Sequence, residues 1–300
     1  MKTEKHLNVD IAGSISEFQA VMKEFMLKNK LYRILLRGKG LEFEAFRRYI
    51  PGEDDASYID WKTSRRANNL MVKQYKDERN LKIVFMVDIG NNMVFGSTKK
   101  LKCEYATEVV AAFAYMIISS GDKVGLLLFS DKVKKYITPG GGINHFNRLM
   151  AELKDPNNYE GYADIKAPLE FGLDYITKSV SSVILVSDFI SFDQDSIRDL
   201  SLLGSKFETV ALKIRDPVDK ALPNLDGEVV IEDPKTGQQM LINPKIVNKV
   251  YEQIVSYQEK VFRDTCRKNA IDLLELSTND RFVPALSEFL RGRTKERKIK

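Results

Sequence analysis

Three hundred residues, 43% apolar and 30% charged with a mean hydropathy of −0.29, are enough for one large or two ordinary domains with a full core. The net charge of +5 belongs to the last ten residues, RGRTKERKIK: taking their six basic and one acidic groups from totals of 47 and 42 leaves 41 of each elsewhere. A neutral body with a basic end argues against a nucleic-acid-binding face, since no aromatic-basic motif accompanies the tail; a weak contact of the tail with anionic lipid or an acidic partner stays open.

In chain order, the opening MKTEKHLNVD lacks the apolar core of a signal peptide. Ser14 to Asn29 offers an N-cap followed by Phe18, Val21, Met22, Phe25 and Met26 at helical spacing. Leu31–Leu36 and Leu41–Tyr49 read as strands around the Arg-Gly-Lys-Gly turn at 37–40, and Leu70–Tyr75 as a third after the break at Pro51-Gly52. From Ile83 strand and helix alternate. Ile83–Asp88 is a strand and Lys99–Ser120 a helix, whose Val109–Ile118 run is far shorter than the roughly 20 residues that span a bilayer. Val124–Phe129 is a strand, with Val133–Ile137 folded back on it across Ser130-Asp131. Asn144–Leu153 and Ile165–Ser179 are helices, the second carrying Pro168 in its first turn. Val183–Ser187 is a buried strand ending at Asp188, followed by helix Asp195–Gly204 and strand Thr209–Ile214. Val229–Ile231 and Gln239–Ile242 pair across a turn at Lys235–Gly237; helix Pro244–Asn269, strand Ile271–Leu276 and helix Phe282–Leu290 complete the chain. The alternation implies βαβ units and a mostly parallel sheet flanked by helices. The expected organisation is an N-terminal helix and β-rich extension over 1–80, an α/β domain over 81–290 and a basic tail over 291–300. Cys103 and Cys266 lie far apart, without a Cys-x-x-Cys, which fits a reducing cytoplasm and no disulfide scaffold or thiolate zinc site.

Two strands end on carboxylates, Asp88 and Asp188. In open α/β sheets ligands sit at this edge, near the point where strand order reverses. Neighbouring strands would bring both acids within reach of a shared Mg²⁺, which demands oxygen ligands in octahedral array; alternatively each acid caps the turn or helix after its strand. Gly140-Gly141-Gly142 lacks the Lys-Ser/Thr of a phosphate-binding loop and reads as a flexible turn. Neither His6 nor His145 has a Ser, Cys or His at useful spacing, so no triad is visible and an acid–base pair would have to be Asp88 with Asp188.

Asp-x-Gly-x-Asn-Met at 88–93 resembles the metal-ion-dependent adhesion site of von Willebrand factor A domains, Asp-x-Ser-x-Ser. The resemblance implies that Asp88 and Asp188 are the two metal-site aspartates. Gly90 replaces the first serine and brings no ligand, Asn92 replaces the second with an amide oxygen, and the later threonine falls at about Ala163. Upstream, GKGLEFEAFRRYIPGEDDASYIDWKTSRRANNLMVKQYKDE is similar to the signature of the bacterial domain of unknown function 58 family, a branch of the von Willebrand A-like proteins. It keeps Glu42-Phe43, Arg48, Tyr49, Pro51-Gly52, Asp54, Ile59-Asp60-Trp61, Arg65, Lys73 and Glu78, and departs at Glu53 and in the metal loop. DPVDKALPNLDGEVVIEDPKTGQQ and LELSTND also resemble the family. The block itself predicts a tight turn at Pro51-Gly52 and an ion-pair network of Asp54, Asp55 and Asp60 with Arg48, Arg65 and Arg66 around Trp61. Such a network either locks the N-terminal strands to the sheet or docks a partner through Arg48, Tyr49, Asp60 and Trp61.

The resemblance implies a von Willebrand A-like fold and a non-enzymatic adaptor, cytoplasmic, working beside a MoxR-type AAA+ ATPase in assembly or maturation. Its partner face would be built on Asp88, Asn92 and Asp188, with no cofactor or with Mg²⁺ at low occupancy. The competing expectation is a metal-dependent phosphoesterase-like hydrolase using Asp88 and Asp188.

Overall fold

The computed structural model describes residues 7–26, 41–51, 54, 56, 59–77, 81–232 and 238–297. Its centre is a six-stranded sheet in the order β10-β7-β6-β3-β4-β5. Strands β3 (Lys82–Asp88), β4 (Lys123–Phe129), β6 (Ser182–Ser187), β7 (Glu208–Arg215) and β10 (Asp272–Ser277) run parallel, and β5 (Val133–Gly140) closes one edge antiparallel to β4. Strands β3, β4 and β6 are near-continuous apolar runs because both faces are covered. Side chains alternate across the pleat: Ile83, Phe85 and Val87 enter one core, Val84 and Met86 the other. The first core is completed by helices α3 (Lys102–Ser119), α4 (Ile143–Lys154) and α8 (Phe282–Arg297). The second is completed by α5 (Lys166–Tyr175), α6 (Gln194–Lys206) and α7 (Pro244–Lys268). This is a doubly wound, mostly parallel α/β arrangement flanked by helices, with the order reversing between β3 and β6.

Helix α3 is buried at every position from Lys102 to Ala114, its polar residues Lys102, Glu104, Thr107 and Glu108 included. What covers its outer side is α1 (Ile11–Met26). Phe18 of α1 packs its ring 5.5 Å from Phe113 and 6.4 Å from Phe282. The chain entering α1 is held by two acids one turn apart on α3: Asn8 N–H donates to Glu104 Oε1 at 2.6 Å and Asp10 N–H to Glu108 Oε1 at 2.7 Å. The helix therefore starts earlier than its periodicity suggests. Asp10, which accepts from Gly13 N–H at 2.8 Å, is the cap, and Ser14 is buried one turn inside. Although α1 lies within the expected N-terminal extension, it packs into the core of the α/β domain.

The rest of that extension is a small module. Strands β1 (Leu41–Arg48) and β2 (Met71–Asp77) pair antiparallel with an irregularity between Phe43 and Ala45, and α2 (Trp61–Ala67) packs against β2. A second hairpin joins β8 (Val229–Glu232) to β9 (Gln239–Ile242). The strand expected at Leu31–Leu36, the turn at 37–40 and the turn at Lys235–Gly237 lie outside the described residues. No helix among the described residues is long and apolar enough to cross a membrane.

Candidate functional site at the strand-order reversal

Strands β3 and β6 are paired neighbours, Val87 beside Val186, so the residues that follow them meet at the carboxyl edge of the sheet. Asp88 is fully buried and both its oxygens are engaged. Gly90 N–H donates to Oδ1 at 2.8 Å, while Asn92 Nδ2 and the Ser187 hydroxyl donate to Oδ2 at 3.0 and 2.7 Å. These bonds do not offset what burial costs the charge. Burial, followed by repulsion from Asp188, pushes the Asp88 carboxyl up to about 6.

Asp188 is buried too, but it has a cation. The ammonium of Lys102, the first residue of α3, donates to Asp188 Oδ2 at 2.6 Å and to both oxygens of Asp219, at 3.0 and 3.3 Å. Lys102 is itself 1% exposed. Burial works against its charge, yet the Asp188 and Asp219 carboxylates outweigh that cost and hold its pKa above the ordinary lysine value. The other Asp188 oxygen accepts from Ile190 N–H at 3.1 Å.

Asp219 belongs to the turn after β7, where a reciprocal cap fixes it: Asp216 N–H donates to Asp219 Oδ2 at 2.9 Å. Asp216 then links three loops. It accepts from the Ser97 hydroxyl and from Ser97 N–H, from Val218 N–H, and from the Thr278 hydroxyl at 3.1 Å. Burial would raise its pKa, but these donors, Ser97 foremost, hold it below the usual carboxylate value.

The structure thus brings Asp88, Asn92 and Asp188 to one crevice, and Ala163 borders it. A Cβ added to Gly90 would lie 2.4 Å from Asn92 Oδ1 and 3.2 Å from the Ala163 nitrogen. A serine at 90 has no room while Asn92 is folded in. Asn92 Oδ1 is buried with no hydrogen-bond partner, and its amide turns a donor, not an oxygen, toward Asp88. These side chains do not fit an octahedral divalent ion. Positions 90 and 163 lack hydroxyls, Asp88 is saturated with donors, and Asp188 faces an ammonium. No group of three or more His, Cys, Asp or Glu among the described residues is arranged to hold a metal.

The mouth of the crevice is apolar. Phe95 and Val94, in the loop after β3, and Ile190, in the loop after β6, are each more than 40% exposed. The Phe95 ring lies 5.8 Å from the Lys102 ammonium, which places it over the same network that Ile190 borders through its bond to Asp188.

The ion-pair network expected around Trp61 takes another form. Asp54 pairs with Arg47, not Arg48, through a two-pronged contact whose Nη1–Oδ2 arm is 2.6 Å, and it caps the Ile50 N–H. The Arg47 guanidinium is the main reason the Asp54 carboxyl titrates below its usual value. Asp60 is the N-cap of α2, accepting from Thr63 N–H at 2.8 Å. Tyr49 joins the module through its backbone N–H, which donates to Leu70 O. Trp61 is 70% exposed and Arg48 is exposed, so the indole is not the centre of a network. Asp55 lies outside the described residues.

The sequence reading missed Lys102, Asp219 and Asp216. One signal was legible: a lysine opening a buried helix, where the helix dipole disfavours a cation, needs acidic partners.

Among curated proteins, the chain is similar to the uncharacterized protein Mb1516 of Mycobacterium bovis, 24% identical over 264 residues that cover 86% of this chain and 81% of the relative. The uncharacterized protein Rv1480 of Mycobacterium tuberculosis matches to the same extent. Among solved structures it is similar to the conserved hypothetical protein BatB from Bacteroides thetaiotaomicron (TM-score 0.47, 14% identity, 72% of this chain and 100% of that one). It is also similar to the SpRpn10 VWA domain (TM-score 0.42, 10% identity, 70% and 94%). Residues 45–261 match the family described as protein of unknown function DUF58, and the chain belongs to that family.

Proposed function

We infer that the protein is a non-enzymatic interaction module that holds a protein partner against the carboxyl edge of its sheet. The observation that carries this reading is the pairing of an apolar rim, Val94, Phe95 and Ile190, with a polar floor whose two carboxylates, Asp88 and Asp188, are already engaged by donors. Exposed aromatic and aliphatic groups around a small patch suit protein contact. A floor so saturated offers no open carboxylate to activate water, which disfavours phosphoester hydrolysis by Asp88 and Asp188. The family resemblance names a MoxR-type AAA+ ATPase in the cytoplasm as the partner, in assembly or maturation of a client. The exposed Trp61 and Arg48 of the N-terminal module form a further docking element of the same adaptor.

The test is capture of that ATPase by the tagged chain, comparing wild type with Phe95→Asp and Ile190→Asp. Both substitutions are on exposed side chains and leave the core intact. Capture should be lost in both and should survive chelation of divalent ions. Retention in both variants would remove this edge as the contact face. A metal-dependent phosphatase activity, abolished by Asp88→Asn, would replace the reading altogether. Asp188 is no probe of the surface, because any change there first breaks the buried pair with Lys102.

A further inference from the structure

We propose that the Lys102 ammonium is the resident cation of the crevice, standing in for a divalent metal by neutralising Asp188 and at the same time locking the loop after β6 to the turn after β7. The proposal rests on the crevice described above and says how its edge is held in shape. Two loops from neighbouring parallel strands each bring a buried carboxylate to one point, Asp188 from β6 and Asp219 from the turn after β7. Like charges buried side by side repel, so the arrangement needs a cation between them. The ammonium meets that need with three donor contacts, at 2.6, 3.0 and 3.3 Å. Those three match the three hydrogens an ammonium has to give.

The position of the lysine matters as much as its charge. As the first residue of α3, Lys102 sits at a helix N-terminus, where positive charge is disfavoured. It is kept there by the carboxylates it serves. Its backbone N–H donates to Phe95 O at 2.9 Å, so the loop that carries the apolar rim is anchored to the residue that carries the cation. One residue therefore couples three loops of the edge: the loop after β3 through its backbone bond to Phe95, and the loop after β6 and the turn after β7 through its ammonium, to Asp188 and Asp219. A metal ion in this position would exchange with solvent and would vary with its supply; a covalently attached ammonium does neither. The edge is thereby set in its binding shape at all times. Asp88, whose charge no cation meets directly, is left to its own donors, consistent with Lys102 being directed at the other two acids.

The experiment is thermal melting of the isolated chain with and without Mg²⁺ or Mn²⁺, for wild type and Lys102→Met. Methionine keeps the length and apolar stem and deletes the charge. Wild type should melt at the same temperature with or without either ion. Lys102→Met should melt lower, and Mg²⁺ or Mn²⁺ should recover part of the loss saturably, because a ligand that binds only the folded state raises its stability. A saturable stabilisation of wild type by either ion would overturn the proposal. So would a Lys102→Met protein as stable as wild type, or one destabilised yet indifferent to both ions. Should Lys102→Met not fold, Mn²⁺ binding to wild type followed by its electron-spin resonance still decides: no saturable binding supports the proposal and stoichiometric binding overturns it. Hydrogen exchange of Asp219→Asn adds an independent reading. Faster exchange across 216–222 supports the lock, and unchanged exchange overturns it. Since all of these use the chain alone, a failure here is distinct from a failure to capture the ATPase.

Discussion

Replacing Asp88 by asparagine should stabilise the protein at neutral pH, although it removes the residue around which the crevice is organised. The Asp88 carboxyl rises from 3.8 to about 6 on folding. Between these values the native state binds its proton more tightly than the unfolded chain does. Stability from this group is therefore fully present below about pH 4 and is lost as pH rises through about 6. A rise of about two units corresponds to about 3 kcal/mol lost by neutral pH. Asparagine carries no charge at any pH and escapes that loss. Its oxygen can still accept from Gly90 N–H. Its amide hydrogens face the Ser187 hydroxyl, which can turn to accept, and Asn92, whose unpartnered Oδ1 can rotate inward. Fitting an amide, with its extra hydrogen, where the neutral acid sits costs about 1–2 kcal/mol at every pH. The net expectation is a gain of about 1–2 kcal/mol above pH 7 and a loss of similar size below about pH 4. Urea unfolding of both proteins across this range reads it directly, with the two stability curves crossing between. The reasoning is refuted if Asp88→Asn is less stable than wild type at pH 8, or if the difference does not change with pH, because Asp88 would then be facing a cation.

Gly90→Ser should lower stability by about 1–3 kcal/mol through overpacking, since its Cβ would meet Asn92 Oδ1 at 2.4 Å. Adding Asn92→Ala should restore most of that loss in thermal melts, and no recovery would show that the clash lies elsewhere. Phe18→Ala should cost about 3–5 kcal/mol and release α1, seen as fast hydrogen exchange over 11–26 with slower exchange kept in β3 and β4. Trp61→Ala should change stability by no more than about 0.5 kcal/mol, as exposed positions do. Trp61 is the only tryptophan, so its emission in the wild type should be that of a solvated indole, readily quenched by acrylamide, and under the proposed function it should be shielded by added MoxR-type ATPase. Quenching that the partner leaves unchanged would remove Trp61 from the docking surface.

The centre of the main sheet was legible because strands buried on both faces appear as largely apolar runs. Ile83–Asp88, Val124–Phe129, Val183–Ser187 and Thr209–Ile214 each fall within a residue or so of the observed strands. The convergence of Asp88 and Asp188 was legible for the same reason, since parallel neighbours end at the same edge. The identities of the groups that hold those acids were not. Lys102 lies 86 residues from Asp188 and 117 from Asp219, and nothing in local spacing connects them. The start of α1 was misplaced because Ser14 looks like a cap, while the actual cap, Asp10, is fixed by its backbone bond to Glu108 on another helix. Near Trp61 the spacing suggested ion pairs, and the structure shows which group two of the acids engage. Asp54 takes Arg47 rather than Arg48, and Asp60 serves a helix terminus. Charge proximity in sequence carries no information about which way alternate strand residues point.

The docking of α1 has a consequence for the order in which the protein assembles. Its surroundings are written late in the chain: Glu104 and Glu108 come 96 and 98 residues after the backbone groups they hold, and Phe282 comes far beyond them. During synthesis from the N-terminus, Phe18 has no site until α3 is made and no complete site until α8 follows. Contacts that close such long loops form slowly. Helix α1 is thus made well before the elements that enclose it, and until they follow its apolar face is a surface open to aggregation, or to a chaperone.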